Sequence, residues 1–260
     1  VDDPARLATI ISDRHFGIGA DGLILVLPSK SADVRMQMFN ADGSEGEMCG
    51  NGIRCVAKFA FDRGLSKANP MRIETGRGVL SVAMDVGPNG VNQVTVEMGE
   101  PILALSNVPV DEKHVTPTNR QHVYQFEVPG FGKQEGVFVS MGNPHVMIFV
   151  PDVRSIDLEK IGPIIERHSA FPRRINVHFV EIVWRDEVIM RTWERGSGIT
   201  LACGTGACAV CVAGVLTNQT NRDLFAHLPG GDLKLSWGQD NQVRMTGAAA
   251  EVFEGEWKAS

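Results

Sequence analysis

The sequence predicts an α+β protein of two pseudo-symmetric lobes, each a curved, mostly antiparallel sheet wrapped around one helix. Two Cys-Gly-x-Gly segments, beginning at Cys49 and Cys203, occupy equivalent places in the two halves of the chain. Gly76 follows the first cysteine at the same spacing as Gly230 follows the second. After each glycine come an alternating run, a Gly/Asn/Asp turn and a closing strand, in that order. Ordered matches of this kind indicate an internal duplication.

The apolar periodicity predicts the elements of each lobe in chain order. In the first lobe we expect a helix over 5–14, strands over 23–27 and 34–39, and a helix over 50–63 that ends at Gly64. In the second we expect a strand over 136–145, a helix over 159–168, strands over 176–183 and 187–193, and a helix over 204–216. Strands outnumber helices and the hairpins are short, which favours an α+β lobe that occurs twice.

The repeat also predicts the organisation of the chain. The polar, proline-punctuated stretch 106–119 separates an N-terminal lobe, 1–105, from a C-terminal lobe, 106–247, and the tail 248–260 is expected to return to the first lobe. The second lobe begins with a strand upstream of its first helix, whereas the chain starts only shortly before residue 10. We therefore expect an N-terminal strand of the first lobe to be missing from this sequence.

Composition excludes several classes of function. The 260 residues are 43% hydrophobic and 22% charged, as in a soluble protein with a real core. A net charge of −6 without any basic run argues against nucleic-acid binding. The longest apolar stretch, 207–216, is too short to span a bilayer. Five cysteines, an odd number, are not typical of a secreted disulfide framework and favour a reducing compartment.

Cys49 and Cys203 each lie at the start of a predicted helix. Free N–H groups and the positive end of the helix dipole stabilise a thiolate there and lower the thiol pKa from about 8.5. The glycines that follow leave backbone N–H groups free to hold a carboxylate. Two such thiols on opposite sides of a substrate suit proton transfer at a carbon, one removing a proton and the other returning one. Lysines are scattered, so no pyridoxal site is predicted and the expected chemistry needs no cofactor or metal.

The motifs allow three other interpretations. Residues 17–22 match G-x-G-x-x-G, but a helix precedes them and a strand follows, which is the reverse of a dinucleotide site. The spacing of Cys203, Cys208 and Cys211 is that of some iron–sulfur ligands, but the segment is predicted to be helical and no fourth cysteine follows. A thiol-redox role through a disulfide is the third interpretation. We expect Cys55, Cys208 and Cys211 to be small buried apolar residues.

Longer motifs carry a resemblance to a known family. They are FNADGSE at 39–45, MCGNGIRC at 48–55, SMGNPH at 140–145, INV at 175–177, WERGSG at 193–198 and ACGTGA at 202–207. Together they resemble diaminopimelate epimerase, over nearly the whole chain and in the expected order. The resemblance implies a cofactor-independent isomerase that interconverts LL- and meso-diaminopimelate, on the route to lysine and peptidoglycan, with its site in the cleft of a two-lobed fold. It also implies a homodimer in the cytoplasm, or in the plastid stroma of a photosynthetic eukaryote.

The resemblance assigns roles to individual residues. Cys49 and Cys203 are expected to be the two acid/base residues, and His145 and Glu194 to adjust the thiol pKa values. The expected substrate-binding residues are Asn40, Gly50, Asn51, Asn143, Asn176, Glu194, Arg195, Gly204 and Thr205. The fork geometry of Arg195 suits a carboxylate, and Glu194 suits an ammonium group. Proline or hydroxyproline racemases of the same two-cysteine type are the alternative, although Glu194, Arg195 and the asparagines favour a longer, doubly charged substrate.

Overall fold

The structure, a computed structural model, describes residues 1–46 and 48–257. It divides into two compact units, one of residues 1–96 with the described residues from Gly247 onward, and one of residues 97–246. The sequence placed this boundary at residue 105. Residues 97–105 group with the second unit because Ile102 forms an antiparallel β-bridge with Ser140. The last three residues of the predicted tail lie outside the described part of the chain.

The first unit contains two helices and a sheet. In chain order its elements are α1 (Pro4–Ser12), β1 (Gly22–Leu27), β2 (Val34–Asn40), β3 (Glu45–Gly46), α2 (Gly50–Asp62), β4 (Met71–Thr75), β5 (Gly78–Gly87) and β6 (Gly90–Gly99). The strands lie in the order β1-β2-β4-β5-β6, and β3 pairs with β2. All of these pairs are antiparallel except β2–β4, which is parallel.

The second unit repeats this pattern and adds strands to it. Its elements are β7 (Thr116–Pro117), β8 (Tyr124–Val128), β9 (Gly132–Ser140), β10 (Pro144–Phe149), α3 (Leu158–Glu166), β11 (Asn176–Trp184), β12 (Glu187–Glu194), β13 (Gly198–Thr200), α4 (Gly204–Leu216), β14 (Asp223–Leu228), β15 (Gly231–Trp237) and β16 (Val243–Ala248), with short 3-10 turns at Glu112–His114 and Val153–Ser155. The strand order is β16-β15-β14-β12-β11-β10-β9-β8-β7, and β13 pairs with β12.

The pairing confirms the duplicated α+β fold. Strands β11, β12, β14, β15 and β16 follow one another exactly as β1, β2, β4, β5 and β6 do, again with one parallel pair, β12–β14. The short strands β3 and β13 pair with the equivalent strands β2 and β12. The second unit adds β10, which is parallel to β11.

Each sheet packs around one helix. Helix α2 contacts β1, β2, β4 and β5, and α4 contacts β9, β10, β11, β14 and β15. The predicted stripe of α2 is buried, with Ile53, Ala57 and Ala60 at 0% exposure. The helix ends at Asp62, one residue short of the prediction, and the expected stop follows at Gly64, whose φ of 71° is left-handed, while the Leu65 N–H donates to the Ala60 carbonyl at 2.9 Å.

Helix α4 has the bounds that the sequence predicts, and it is buried on all sides between Gly206 and Gly214. A helix that is apolar around its whole circumference belongs in a core. No helix in the described part of the chain is both long and apolar enough to cross a bilayer.

Two sequence-based element predictions need correction. The stretch 136–145 forms the antiparallel strands β9 and β10 rather than one strand, because the chain reverses at Gly142, whose φ is 97°. Helix α1 ends before residue 14 because the Asp13 carboxylate accepts hydrogen bonds from the N–H groups of His15 and Phe16, each at 2.7 Å.

Candidate active site

Cys49 is the N-cap of helix α2. Its sulfur accepts a hydrogen bond from the Gly52 N–H at 3.3 Å, and the thiol is half-buried. A Cβ atom on Gly52 would lie 2.4 Å from Ile24 Cδ1, so any larger residue there would have to displace the Ile24 side chain. The motif therefore places the thiol, and the uncovered N–H groups that follow it, at the positive end of the helix.

Arg54 fixes the first turn of α2. This buried guanidinium donates to the Gly50 carbonyl at 3.2 Å, to Asn51 Oδ1 at 3.1 Å and to the Ala248 carbonyl at 3.2 Å. It holds Asn51, a predicted substrate ligand, and ties the helix start to the returning tail. The sequence analysis did not single out Arg54, although a basic residue inside an apolar helix stripe is a usable signal.

Asn40 lies at the end of β2 in a tight turn. Its Nδ2 donates to Ser44 Oγ at 3.0 Å, and the Gly43 N–H donates to its carbonyl at 2.9 Å. In this structure the side chain stabilises the turn, which is the alternative role that an Asn-x-Asp-Gly sequence indicates. A role in binding substrate remains a prediction.

Cys203 is the N-cap of helix α4 and is only 4% exposed. Its sulfur lies 3.7 Å from Thr205 Oγ1. A Cβ atom on Gly206 would lie 2.2 Å from His178 Cε1 and 3.0 Å from the Cys203 sulfur. The second glycine of the motif thus lets the histidine and the thiol both pack against the helix start.

The pKa of Cys203 corrects the sequence-based expectation. Burial, followed by the negative charge of Glu194, raises the pKa of this thiol well above its usual range. The Gly206 N–H and the Thr205 hydroxyl act in the opposite direction, but burial outweighs them. Cys203 is therefore a neutral thiol at physiological pH.

Glu194 ends β12 beside this thiol. Its Oε1 accepts a hydrogen bond from Thr200 Oγ1 at 2.6 Å, and its negative charge acts on the Cys203 thiol. Burial raises the pKa of Glu194, and the Thr200 hydroxyl and the Cys203 thiol partly offset this rise. The structure thus pairs the protonated thiol with a carboxylate that can accept its proton.

Two buried histidines continue the polar cluster. His145 Nδ1 and His178 Nε2 are 2.9 Å apart, and both side chains are fully buried. His145 Nε2 lies 2.9 Å from Asn143 Oδ1, and Asn143 Nδ2 donates to Thr205 Oγ1 at 3.3 Å. At the other end, His178 Nδ1 lies 2.9 Å from Thr192 Oγ1.

These contacts allow only one arrangement of hydrogen-bond donors and acceptors along the network. Because Asn143 Oδ1 only accepts, His145 must donate from Nε2, and its Nδ1 then accepts from His178 Nε2–H. His178 Nδ1 in turn accepts the hydroxyl proton of Thr192. Both rings are neutral, since burial lowers the pKa of His178 to about 3 and holds that of His145 well below its usual value. The network orients Asn143 and Thr205 beside Cys203.

Asn176 and Arg195 form the edge of the same region. Asn176 is buried, donates to the Pro144 carbonyl at 2.9 Å and accepts from the Arg195 N–H at 2.9 Å. Arg195 is exposed, and its Nη1 donates to the Arg173 carbonyl at 3.1 Å. Both ends of the Asn176 amide are engaged with the backbone, so this residue positions the chain that carries Arg195.

The predicted residues fall into two groups. The first unit holds Asn40, Cys49, Gly50 and Asn51; the second unit holds Asn143, His145, Asn176, Glu194, Arg195, Cys203, Gly204 and Thr205. The sequence analysis missed His178, Thr192 and Thr200. The repeat contains a signal for the first two, because His178 and Thr192 stand where the first half has Ile24 and Met38.

The remaining cysteines do not form a cluster of ligands. Cys208 and Cys211 are buried within helix α4, as predicted, and the Cys211 thiol donates to the Arg222 carbonyl at 3.6 Å. The convergent loop that an iron–sulfur site requires is therefore not formed. Cys55 is exposed, contrary to the prediction, because it lies outside the buried stripe of α2. His145, His178 and Cys203 are the residues that could hold a metal ion within the described part of the chain.

Solved structures show which fold the chain has. A probable proline racemase from Agrobacterium radiobacter K84 matches with a TM-score of 0.66 and 14% identity, over 94% of this chain and 78% of that chain. At this identity the match shows the fold alone: a duplicated α+β fold shared with racemases and epimerases.

The sequence comparisons identify the family. The sequence profile of diaminopimelate epimerase matches residues 1–104 and 137–252. The diaminopimelate epimerase of Agathobacter rectalis is 49% identical over 98% of this chain and 91% of that protein. That of Acetivibrio thermocellus is 50% identical over 98% and 90%. The chain belongs to the diaminopimelate epimerase family.

Proposed function

We propose that this protein is an isomerase that interconverts LL- and meso-diaminopimelate by two-base proton transfer at the alpha carbon, in lysine and peptidoglycan precursor biosynthesis. The observation that carries the proposal is identity of about half the residues to curated diaminopimelate epimerases over nearly the full chain. The two Cys-Gly-x-Gly helix starts support it, because each offers a thiol next to free backbone N–H groups.

The proposed chemistry uses the two thiols in opposite roles. A thiolate at Cys49 removes the alpha proton from one face, and the Cys203 thiol gives its proton to the other face and becomes a thiolate. The reverse direction exchanges these roles. The raised pKa of Cys203 supports its role as the acid, and the neighbouring Glu194 carboxylate can accept the thiol proton when Cys203 has to act as the base.

We assign substrate binding to the groups around each helix start. The N–H groups at Gly50, Asn51, Gly204 and Thr205 hold the reacting carboxylate, since a helix N-terminus favours an anion. Asn40, Asn143, Asn176, Glu194 and Arg195 bind or position the amino groups and the distal carboxylate. Glu194 supplies a negative charge for an ammonium group, and the guanidinium of the exposed Arg195 can donate two parallel hydrogen bonds to a carboxylate.

The substrate is tested by a parallel assay. Purified protein with reductant and no added cofactor is incubated separately with LL-diaminopimelate and with trans-4-hydroxy-L-proline, and the stereoisomers are separated by chiral chromatography. Formation of meso-diaminopimelate alone supports the proposal. Epimerisation of hydroxyproline alone would replace it with the alternative of a proline-type racemase, for which the structural similarity shows only a common fold.

We also propose that the protein acts as a homodimer in the cytoplasm, or in the plastid stroma of a photosynthetic eukaryote. The five cysteines, all within the described part of the chain, form no disulfide, which fits a reducing compartment. Dimerisation rests on the family resemblance. Light scattering coupled to size-exclusion chromatography tests it, and a monomer mass at assay concentration would contradict it.

A further inference from the structure

We propose that Cys203, His145 and His178 form a binding site for a thiophilic divalent cation such as Zn²⁺, and that its occupancy blocks Cys203. The ligand atoms of these three buried residues all lie within 4.8 Å of one another. Two imidazole nitrogens and a thiolate are the donor set that zinc and cadmium prefer. Binding of the cation does not depend on the proposed function, whereas the inhibition of catalysis rests on it.

The two histidines are nearly in ligating position. Their facing nitrogens, His145 Nδ1 and His178 Nε2, are 2.9 Å apart. In a tetrahedral site with zinc–nitrogen bonds of about 2.0–2.1 Å, two nitrogens lie about 3.3 Å apart. A cation that replaces the proton between the rings therefore needs them to separate by only a few tenths of an ångström.

The thiol completes the site from its less buried side. Cys203 retains 4% exposure, whereas both histidines have none, so Cys203 is the residue of the three nearest to solvent. Its sulfur must approach each nitrogen to about 3.5 Å in a tetrahedral site, from a separation of at most 4.8 Å. On binding, the sulfur–hydrogen bond breaks, a sulfur–metal bond forms and the thiol proton is released to solvent. The proton on His178 Nε2 moves to Nδ1, which then donates to Thr192 Oγ1, so the ring stays neutral while Nε2 binds the metal.

Local charge favours the cation over the proton. One proton on each imidazole satisfies the hydrogen bonds of both rings, and a neutral imidazole is the ligating form. The Glu194 carboxylate is close enough to the thiol for its charge to act on it. Together with the Cys203 thiolate it supplies two negative charges, which match a divalent cation. Glu194 or a water can take the fourth position.

The internal repeat limits the site to one thiol. Around Cys49, the position of His178 is taken by Ile24, and its Cδ1 is the atom nearest to a Cβ built on Gly52. His178 is the nearest neighbour of the equivalent Gly206. An aliphatic side chain cannot bind a metal, so we expect one high-affinity cation per chain, at Cys203.

A surface histidine provides the matched control. His227 Nδ1 lies 2.8 Å from Asp232 Oδ1, and its Nε2 lies 2.9 Å from Glu187 Oε1. This half-buried group can also attract a divalent cation, but it has no thiol. A site at Cys203 and one at His227 therefore differ in whether a sulfur–metal bond forms.

The test is a titration of the reduced full chain with Co²⁺, whose thiolate charge-transfer band reports a sulfur ligand and whose visible bands report tetrahedral geometry. The expected result is saturation at one equivalent. Cys203→Ser should lose the charge-transfer band, and His178→Ile should weaken binding by at least about tenfold. His227→Gln should bind as the wild type does. Circular dichroism checks that each variant is folded, and the nearly isosteric Cys203→Ser decides the result if His178→Ile does not fold.

Several outcomes would overturn the site. They are the absence of a charge-transfer band in the wild type, its persistence in Cys203→Ser, and its loss in His227→Gln. The activity arm is separate: Zn²⁺ should inhibit epimerisation, and a chelator should restore it. Tight cobalt binding without zinc inhibition would refute the proposed inhibition of catalysis but not the proposed metal site. An inactive protein that binds cobalt would count against the proposed function alone.

Discussion

Replacing Gly206 by alanine tests the packing of the helix start against the histidine. The added Cβ would lie 2.2 Å from His178 Cε1, 2.7 Å from His178 Nε2 and 3.0 Å from the Cys203 sulfur. An ordinary contact of this kind is at least 3.4 Å. The methyl group must therefore displace both the imidazole and the thiol.

The expected cost follows from two opposing effects. Overpacking a core costs about 1–3 kcal/mol. Alanine in a helix interior recovers about 1 kcal/mol relative to glycine. Because the contact is so short and the site is fully buried, we place the overpacking cost near the top of its range and expect a net loss of about 2 kcal/mol. At about 2–4 °C per kcal/mol, the melting temperature should fall by about 4–8 °C.

Gly214→Ala is the matched control in the same helix. Its Cβ would lie 2.2 Å from Thr220 Oγ1, a clash of equal severity at the far end of α4. Differential scanning calorimetry should show a similar fall in both variants. Only Gly206→Ala should also lose epimerase turnover, by at least about tenfold, because a small displacement of a reacting group is costly. Wild-type melting temperature and turnover in Gly206→Ala would refute this description of the helix start.

Three further predictions concern catalysis and pH. Cys49→Ala and Cys203→Ala should each lower turnover by about 10²–10⁴-fold or more, because each removes the acid/base residue on one face of the substrate. Near-normal turnover of either variant would refute the two-base assignment. Activity should need reductant, survive dialysis against chelator and require no pyridoxal phosphate; loss of activity on chelation would contradict this. The hydrogen bond to Asp232, and then that to Glu187, raises the pKa of His227. Its contribution to stability is therefore full below about pH 6.5 and lost as pH rises through the folded-state pKa. His227→Gln should lower the melting temperature at pH 5.5 but not at pH 9; an equal effect at both values would contradict the shift.

The helices were the most predictable part of the fold. The structure reproduces the predicted bounds of α4 at 204–216, and α2 ends one residue before its predicted end. Both begin at Cys-Gly-x-Gly and carry a continuous apolar pattern, so the local signals agree with the packing. The hairpin at Gly142 was not predicted, because apolar residues on both sides of the turn look like one buried strand.

The geometry of the candidate site was only partly predictable. The motifs around Cys49 and Cys203 are visible in the sequence, and so are their helix positions. The protonation state of Cys203 is not, because it depends on burial by strands distant in the sequence. His178 looks like an isolated histidine in an apolar strand until it is compared with Ile24 in the other half of the repeat.

The most direct test of the central claim is the fate of the alpha proton in heavy water. LL-diaminopimelate is incubated with reduced enzyme and no cofactor, and substrate and product are separated early in the reaction for mass spectrometry. Two thiols on opposite faces predict deuterium in the meso product and none in the recovered LL substrate, because the acid that delivers the proton has equilibrated with solvent. Equal early labelling of substrate and product would show that one base serves both faces, and would contradict the assignment of Cys49 and Cys203.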